Sequence, residues 1–539
     1  MVARAKRDLE EALLAWRAVL GNQYVITDRA RLAAANAATY ATTQRALAII
    51  EPASVEDIQA CLRIANQFHV PVCPISTGKN WGYGSRVPAQ DGSVIMALRR
   101  MNRILELSEE LAYVTVEPGV TMKQLYEFLI AKESRLMVPA TGSAPTTSLI
   151  GNALERGLVV GPHSDRFGQT CGLEVVLPTG AIVHTGFERF AHARAGKVCE
   201  WGVGPAFSGM FSQSSFGVVT KMTFWLNRVP QNFLFCSIGI KDSKDLPRLI
   251  DTLRELRLDG ILDPGMSCLG LWNDYKLISE RLGTYPWEMS GDKTPLPDNL
   301  RRDLSRHFGG VSWLGTIMLY CPSRACVRAH RKLLRQYLQH CVDQMHFADD
   351  RTTKIPKCLW RPYYWFTGFD VRPVLELDTS PLLGVPNEFG SMITVYWRKK
   401  RLLPPNPDPD RDRCGVLWCG PVFPLVGDEV EFGVHTVADC CLKHGFEPSI
   451  ALLIHGRRKL SLVYGIIYDR EVLSDDEHAH ECFEEITETL GARGYFPYRL
   501  GVHSMNALPA SRDGYPELYE HIKAALDPNH ILAPGRYEH

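Results

Sequence analysis

From Ala46 to about Leu226, short apolar runs alternate with segments whose apolar residues recur every three or four positions. "ALAIIEP" reads as a strand. The next segment, "SVEDIQACLRIANQFHV", puts Val55, Ile58, Leu62 and Ala65 on one helical face behind Ser54 as an N-cap. "SVIMAL" and "AYVTVEPGV" follow as strands, "TMKQLYEFLIAK" as a helix, and "LEVVLPTGAIVHTG" and "GVVTKMTFWL" as further strand candidates. This alternation predicts an α/β or α+β region. Ahead of it, Leu9, Leu13, Trp16 and Leu20 fall at helical spacing and predict an amphipathic packed helix.

After Pro230 the pattern changes. "KDLPRLIDTLREL" and "RAHRKLLRQYLQHC" read as helices, and "LGTIMLYC", "EFGSMITVYW" and "KLSLVYGIIYD" as strands. An antiparallel sheet with helices packed on it, forming a separate domain, is the expectation. "LPPNPDPDRDR", Leu403 to Arg413, is rich in proline and charge and reads as a surface loop, and the "RKKR" run at Arg398 to Arg401 reads as solvated. The last residues end in a helix and a Pro-Gly turn and are expected to return to the first region.

Composition narrows the function classes. Lys plus Arg and Asp plus Glu number 60 each, so no net field recruits nucleic acid or an anionic membrane. The fifteen cysteines lack a regular spacing and include the adjacent pair Cys440 and Cys441, which argues for a reducing compartment. No apolar run approaches the ~20 residues that span a bilayer, and Asp8, Glu10 and Glu11 interrupt any leader-like core. A cytoplasmic protein acting on a small molecule is expected.

The chemistry begins in "PVCPISTGKNWGYGSR", Pro71 to Arg86, with three glycines after an apolar run. Clustered glycine exposes main-chain N–H groups and suits an anion cradle. The P-loop is excluded because Gly78-Lys79 is followed by Asn80, and the dinucleotide fingerprint because Gly82-Tyr83-Gly84 lacks a third glycine. Alone, the loop equally suits a glycine-rich connection between strands.

Six segments in order, "PISTGKNWGYG", "VTVEPGVTMKQLYEFL", "LIGNALERG", "GLEVVLPTGAIVHTG", "MFSQSSFGVVTKM" and "LDPNHILAPGR", resemble the vanillyl-alcohol oxidase and para-cresol methylhydroxylase family of flavoproteins. The resemblance implies an α+β fold: a two-part FAD-binding domain at residues 1–228 and 499–539, with an inserted cap domain of antiparallel sheet and helices at 229–498. It implies FAD contacts from Ile75, Ser76, Thr77, Gly78, Lys79, Asn80, Gly82 and Tyr83, which would cradle the pyrophosphate. Pro118, Gly119 and Val120 would make a second contact. Ser148, Leu149, Gly151, Asn152, Glu155, Arg156 and Gly157 would run along the ring and ribityl chain. Gly217 and Val218 would approach the adenine, with Arg499 and Arg536 offsetting charge.

In this family the substrate is a para-substituted phenol, held as phenolate and oxidised at the benzylic carbon by hydride transfer to flavin, giving a quinone methide. Tyr83 in "WGYGS" and Tyr498-Arg499 in "PYRLG" match its phenol-binding group. Holding a phenol of pKa near 10 as the anion at neutral pH takes roughly 4 kcal/mol. One Arg charge with two Tyr hydroxyls in a water-poor pocket supplies a term of that size. Asp165, in "GPHSDRFG", matches an acidic residue near the reactive flavin nitrogen; as a bare residue it reads equally as a turn cap or a partner of Arg166. His163 reads as an exposed turn histidine.

The sequence departs from the pattern where the family links FAD covalently. The stretch "RDRCGVLWCGPVF" has neither histidine nor tyrosine, with Val416 at the matching position and Cys414 and Cys419 beside it, so non-covalent FAD is expected. Oxygen or an electron-carrier protein would reoxidise the flavin, and a homo-oligomer is the family norm. His478, His480 and Cys482 sit two apart and on a helix point to different sides, and no metal site is expected. Two alternatives remain open at this level: oxidation of a hydroxy acid or sugar lactone, and a flavin-binding scaffold without catalysis.

Overall fold

The computed structural model describes residues 2–352, 380–387, 392–401 and 403–538. A first sheet runs Val25–Ile26, Ala48–Ile50, Val94–Ala97, Val72–Ile75, the last three parallel. Its apolar face packs against the helices Val2–Leu20 and Val55–Phe68, with Trp16, Ile58, Leu62 and Ala65 fully buried. Ser54 caps the second helix, its Oγ accepting from Asp57 N–H at 3.1 Å. The chain end joins this sheet: Val72 N–H donates to the Ile531 carbonyl at 2.7 Å, and Ala533 N–H to the Val72 carbonyl at 2.8 Å. Residues more than four hundred positions apart thus flank the strand that leads into the glycine loop.

A second sheet is antiparallel throughout, in the order Ile104–Ser108, Tyr113–Val116, Val218–Trp225, Thr170–Val176, Ile182–His184. The single strand candidate "LEVVLPTGAIVHTG" is a hairpin, closed where Leu177 N–H donates to the Ala181 carbonyl at 2.8 Å.

The third sheet has eight antiparallel strands. Its path is Gln344–Asp349, Asn232–Ile240, Trp313–Cys321, Ser267–Asn273, Ser449–Leu453, Lys459–Asp469, Cys414–Cys419, with Val422–Pro424 also on Lys459–Asp469. Alternation sets its faces: Trp313, Ile317, Leu319 and Cys321 enter a large core with the helices Leu246–Leu258, Arg324–Leu338, Gly427–Lys443 and Asp475–Gly491, while Met318 enters a small cluster on the other face. The chain is α+β, as expected.

Three expectations change. In "EFGSMITVYW", residues 388–391 lie outside the described residues, and Met392–Val395 is a helical turn rather than a strand. Tyr396 and Trp397 after it are buried with Trp81 and Tyr275, and such a short apolar run carries no period that separates helix from strand. In "RKKR", Arg398 and Lys399 are buried rather than solvated: Arg398 Nε donates to Glu447 at 2.7 Å, and Lys399 pairs with Asp469. The loop "LPPNPDPDRDR" is only partly at the surface, because Asp410 is buried and accepts from Ser85 Oγ at 2.7 Å and Trp81 Nε1 at 3.2 Å.

Candidate active site

The strand Val72–Ile75 ends in a chain reversal built by glycine. Gly78 has φ +69° and Gly82 φ +76°; a Cβ on Gly82 would lie 2.1 Å from Trp418 Cδ1. Tyr83 and Ser85 N–H both donate to the Asn80 carbonyl at 3.0 Å, which closes the turn. The N–H groups of Thr77, Gly78, Lys79 and Asn80 find no acceptor among the described residues. Consecutive free amides of this kind make an anion nest.

Three further segments face the loop across a cleft whose cavity measures about 170 Å³. One is the helix Leu149–Leu154, capped by Ser148, whose Oγ accepts from Gly151 N–H at 3.0 Å and whose N–H donates to Thr77 Oγ1 at 3.2 Å. The second runs from Gln213 to Val219. There Gly217 admits no side chain, since its Cβ would sit 2.4 Å from Val175 Cγ1. The third is C-terminal and brings Arg499, Val502, Ala533 and Arg536.

Of the residues singled out above, Ile75, Ser76, Thr77, Gly78, Lys79, Asn80, Tyr83, Ser148, Gly151, Asn152, Glu155, Gly217, Val218, Arg499 and Arg536 line the cleft. Others stand behind it. Pro118 accepts from Ser148 Oγ at 2.6 Å, Gly119 N–H donates to the Met101 carbonyl at 2.6 Å, and Val120 accepts from Leu149 N–H at 3.1 Å. Arg156 Nε donates to Ser212 Oγ at 2.8 Å, and Gly157 N–H to the Asn152 carbonyl at 2.8 Å. Lys79 spends its charge on Asp408, 3.4 Å away.

Arg499 is the electrostatic centre. Its guanidinium carbon lies 3.7 Å from the centre of the Tyr83 ring, Nη2 donates to Asn80 Oδ1, and Nε is buried without a partner. Burial works against its charge, but Tyr83, Tyr498 and Glu155 around it hold its pKa above the ordinary arginine value. Burial pushes the Tyr83 hydroxyl well up, with its hydrogen-bonded neighbour Tyr498 adding and Arg499 opposing. Tyr83 is therefore a neutral O–H donor at physiological pH. Tyr498 is set by Gly420, whose carbonyl accepts its N–H at 3.1 Å, and by Gln213 Nε2, which donates to its carbonyl at 3.0 Å.

Next to this group, Arg536 pairs with Glu155, and Tyr537 Oη donates to the other Glu155 oxygen at 3.0 Å. Burial opposes the Glu155 charge, yet Arg536 and Arg499 hold its carboxyl below the usual range. Two guanidinium groups against one carboxylate leave one uncompensated positive charge. That surplus is available to an anionic ligand.

Asp165 stands apart from these residues. It is exposed and accepts from Gly168 N–H at 3.1 Å, the turn-cap geometry that its bare sequence also allowed. His163 is half-buried rather than exposed, packed against Gly265, and burial lowers its pKa. Sequence reasoning passed over Gln213, Ser214 and Tyr537. The first two lie inside the quoted segment "MFSQSSFGVVTKM", and Gln213 has φ +50°, which a sequence does not display.

Comparison with known proteins places this geometry. The FAD binding domain family matches residues 46–186. The 4-cresol dehydrogenase [hydroxylating] flavoprotein subunit of Pseudomonas putida is 29% identical, over 98% of this chain and 95% of its own. The crystal structure of p-cresol methylhydroxylase with substrate bound superposes with a TM-score of 0.85 at 25% identity, over 98% of this chain and 97% of that one. The 1'-carboxy-chondrochloren decarboxylase of Chondromyces crocatus is 44% identical, over 98% of this chain and 97% of its own.

The chain belongs to the vanillyl-alcohol oxidase and para-cresol methylhydroxylase family. As a member of that family it is an enzyme of the FAD-dependent oxidoreductases, with an FAD-binding domain. The cleft fits the cofactor on its own evidence. Four free amides suit a pyrophosphate, and Asn152 Oδ1 and Ser214 Oγ are buried in the wall without partners, as polar groups waiting for a ligand are. No described helix is long and apolar enough to cross a membrane.

Proposed function

We propose that this family member oxidises a para-substituted phenol, bound as its phenolate, by removing hydride from the benzylic carbon and leaving a quinone methide. The observation that carries the reading is the buried Arg499, stacked on Tyr83 beside Tyr498, in a cluster with one surplus positive charge. Bound FAD supplies the two-electron acceptor. The chain's part is to hold the negative oxygen: Arg499 gives it a counter-charge, while Tyr83 and Tyr498 donate hydrogen bonds in a site that excludes water. The phenolate then pushes electron density towards the para carbon and weakens its C–H bond.

We also read residues 1–228 and 499–539 as the FAD-binding part and 229–498 as the cap. FAD is held there without a covalent bond. Val416 is hydrocarbon within a buried cluster, and burial pushes the Cys414 and Cys419 thiols up to about 12, which leaves no nucleophile in that strand.

A second reading is favoured by the relative named for decarboxylation. If the substrate carries a carboxylate on the carbon next to the benzylic one, the quinone methide is an electron sink. Breaking the C–CO2 bond sends its electron pair into a new side-chain double bond and restores the phenolate. Hydride and CO2 are lost together, and the charges balance. The test for both readings is an anaerobic titration of the yellow enzyme with 4-ethylphenol and with 3-(4-hydroxyphenyl)propanoate, following the visible flavin band and released CO2. Bleaching by both, with CO2 from the acid alone, supports oxidative decarboxylation. Bleaching without CO2 supports simple benzylic oxidation, and no bleaching by either sinks the phenol reading.

A further inference from the structure

The strand Trp313–Cys321 ends at Cys321, and the helix Arg324–Leu338 begins after Ser323, whose Oγ accepts from Cys326 N–H at 3.2 Å. Cys326 and His330, four apart on that helix, share a face. The turn between strand and helix brings that face onto Cys321, so Cys321, Cys326 and His330 offer one ligand atom each with all three within 4.8 Å of one another. We propose that this cluster, from the segment "CPSRACVRAH", is a zinc site.

Geometry and chemistry agree. Cys326 Sγ and His330 Nδ1 are 3.4 Å apart, and a tetrahedral zinc with ordinary Zn–S and Zn–N bonds holds such atoms about 3.5 Å apart. In the ion-free protein His330 Nδ1 donates its proton to the Cys326 carbonyl at 3.0 Å, so an ion at Nδ1 displaces that hydrogen bond and the ring proton moves to Nε2. Two thiolates and an imidazole select zinc over magnesium or calcium, which take oxygen. Binding releases two thiol protons, and the resulting Zn2+ with two thiolates is neutral, a condition that a half-buried site requires.

A second observation points to the same place. Asp350 holds Arg324, two residues before Cys326 on the same helix, through one carboxylate oxygen, while the other, Oδ1, is buried without a partner. Cys326 and His330 are half-buried, which leaves a path from solvent. None of the three ligands lines the FAD cleft, so the role is to pin the helix start to the sheet rather than to take part in oxidation. The spacing C-x4-C-x3-H is legible in the sequence but lacks the second Cys or His pair of familiar zinc motifs, and the expectation of no metal site concerned His478, His480 and Cys482 alone.

The test uses the flavin-loaded enzyme, freed of any affinity tag, kept reduced with a phosphine, given Zn2+ alone and gel-filtered before elemental analysis. Wild type should retain about one zinc per chain, and Cys326→Ser and His330→Gln should each weaken retention at least about tenfold with the flavin spectrum intact. Co2+ in the wild type should give thiolate-to-cobalt absorption, which needs no variant to fold. Zinc absent from reduced wild type, zinc held equally by both variants, or cobalt without a thiolate band overturns the proposal.

Discussion

Arg499 stacks its guanidinium on the ring of Tyr83 at 3.7 Å, although the two residues are more than four hundred positions apart in the chain. The contact joins the glycine loop to the C-terminal segment, so the proposed phenol-binding group exists only when these two distant parts of the chain have come together. Replacing Arg499 with Ala removes the charge but leaves the amide nest and the Glu155–Arg536 pair. FAD should stay bound, while flavin reduction by a phenol falls about a thousandfold, equivalent to roughly 4 kcal/mol of phenolate stabilisation. Anaerobic stopped-flow reduction measures this, and an unchanged rate would falsify the proposed role.

The surplus charge can be tested by arithmetic on the cluster. Arg499 and Arg536 against Glu155 sum to one positive charge. Arg536→Ala brings the sum to zero and strips a buried carboxylate of its partner, costing about 3–5 kcal/mol of stability. Phenol binding should weaken with it. Adding Glu155→Gln restores the sum to one, so the double variant should recover phenol binding that the single variant lost. Binding constants for a non-oxidisable phenol check this; a double variant no better than Arg536→Ala would show that charge balance is not what matters.

Much of this was legible because it is local. Ser54 and Ser148 cap helices three residues ahead, and the alternating residues of "LGTIMLYC" define a strand whose two faces enter different cores. The glycine loop shows in its own clustered small residues, whereas Tyr498-Arg499 was legible only through the resemblance of "PYRLG" to the family. What escaped depends on distant partners. Lys399 looks like a surface lysine until Asp469 is placed beside it, and Asp410 looks like loop charge until it meets Ser85 and Trp81. The Glu155–Arg536 pair was invisible as a pair for the same reason.

Asp410 carries a pH dependence that follows from that burial. Burial raises its carboxyl to about 6, with Asp408 adding and Ser85, Arg86 and Trp81 opposing. In the unfolded chain an aspartate titrates near 3.9. The folded state thus binds the proton more tightly, and the contribution is fully present below ~3.9 and lost as pH rises through about 6. It amounts to at most about 3 kcal/mol. Asp410→Asn fixes the neutral form, accepting from Trp81 and donating to Ser85. The variant should match wild type near pH 4 and exceed it at pH 8 in denaturant unfolding, and a difference that does not change with pH would rule this account out.

The cofactor's attachment gives the last prediction. A covalent flavin bond needs a nucleophile at the flavin ring, and the strand Cys414–Cys419 offers none that is active: Val416 is saturated, and both thiols are held protonated by burial. The strand is also fixed in place, since Val416 N–H donates to the Thr39 carbonyl at 2.8 Å and Trp418 N–H to the Gly82 carbonyl at 3.3 Å. On the proposed non-covalent reading, FAD is retained by the nest and the cleft wall, and unfolding destroys both. Acid precipitation should therefore leave the yellow colour in the supernatant, and a mass spectrum of the unfolded chain should match the bare sequence. A coloured pellet would locate a link elsewhere. The same logic makes retention sensitive to the loop: Gly82→Ala, which strains a positive φ and drives a methyl into Trp418, should lower FAD affinity. Fluorescence of released FAD on dilution measures that loss, and a variant that holds FAD as wild type does would show that the loop is not what retains it.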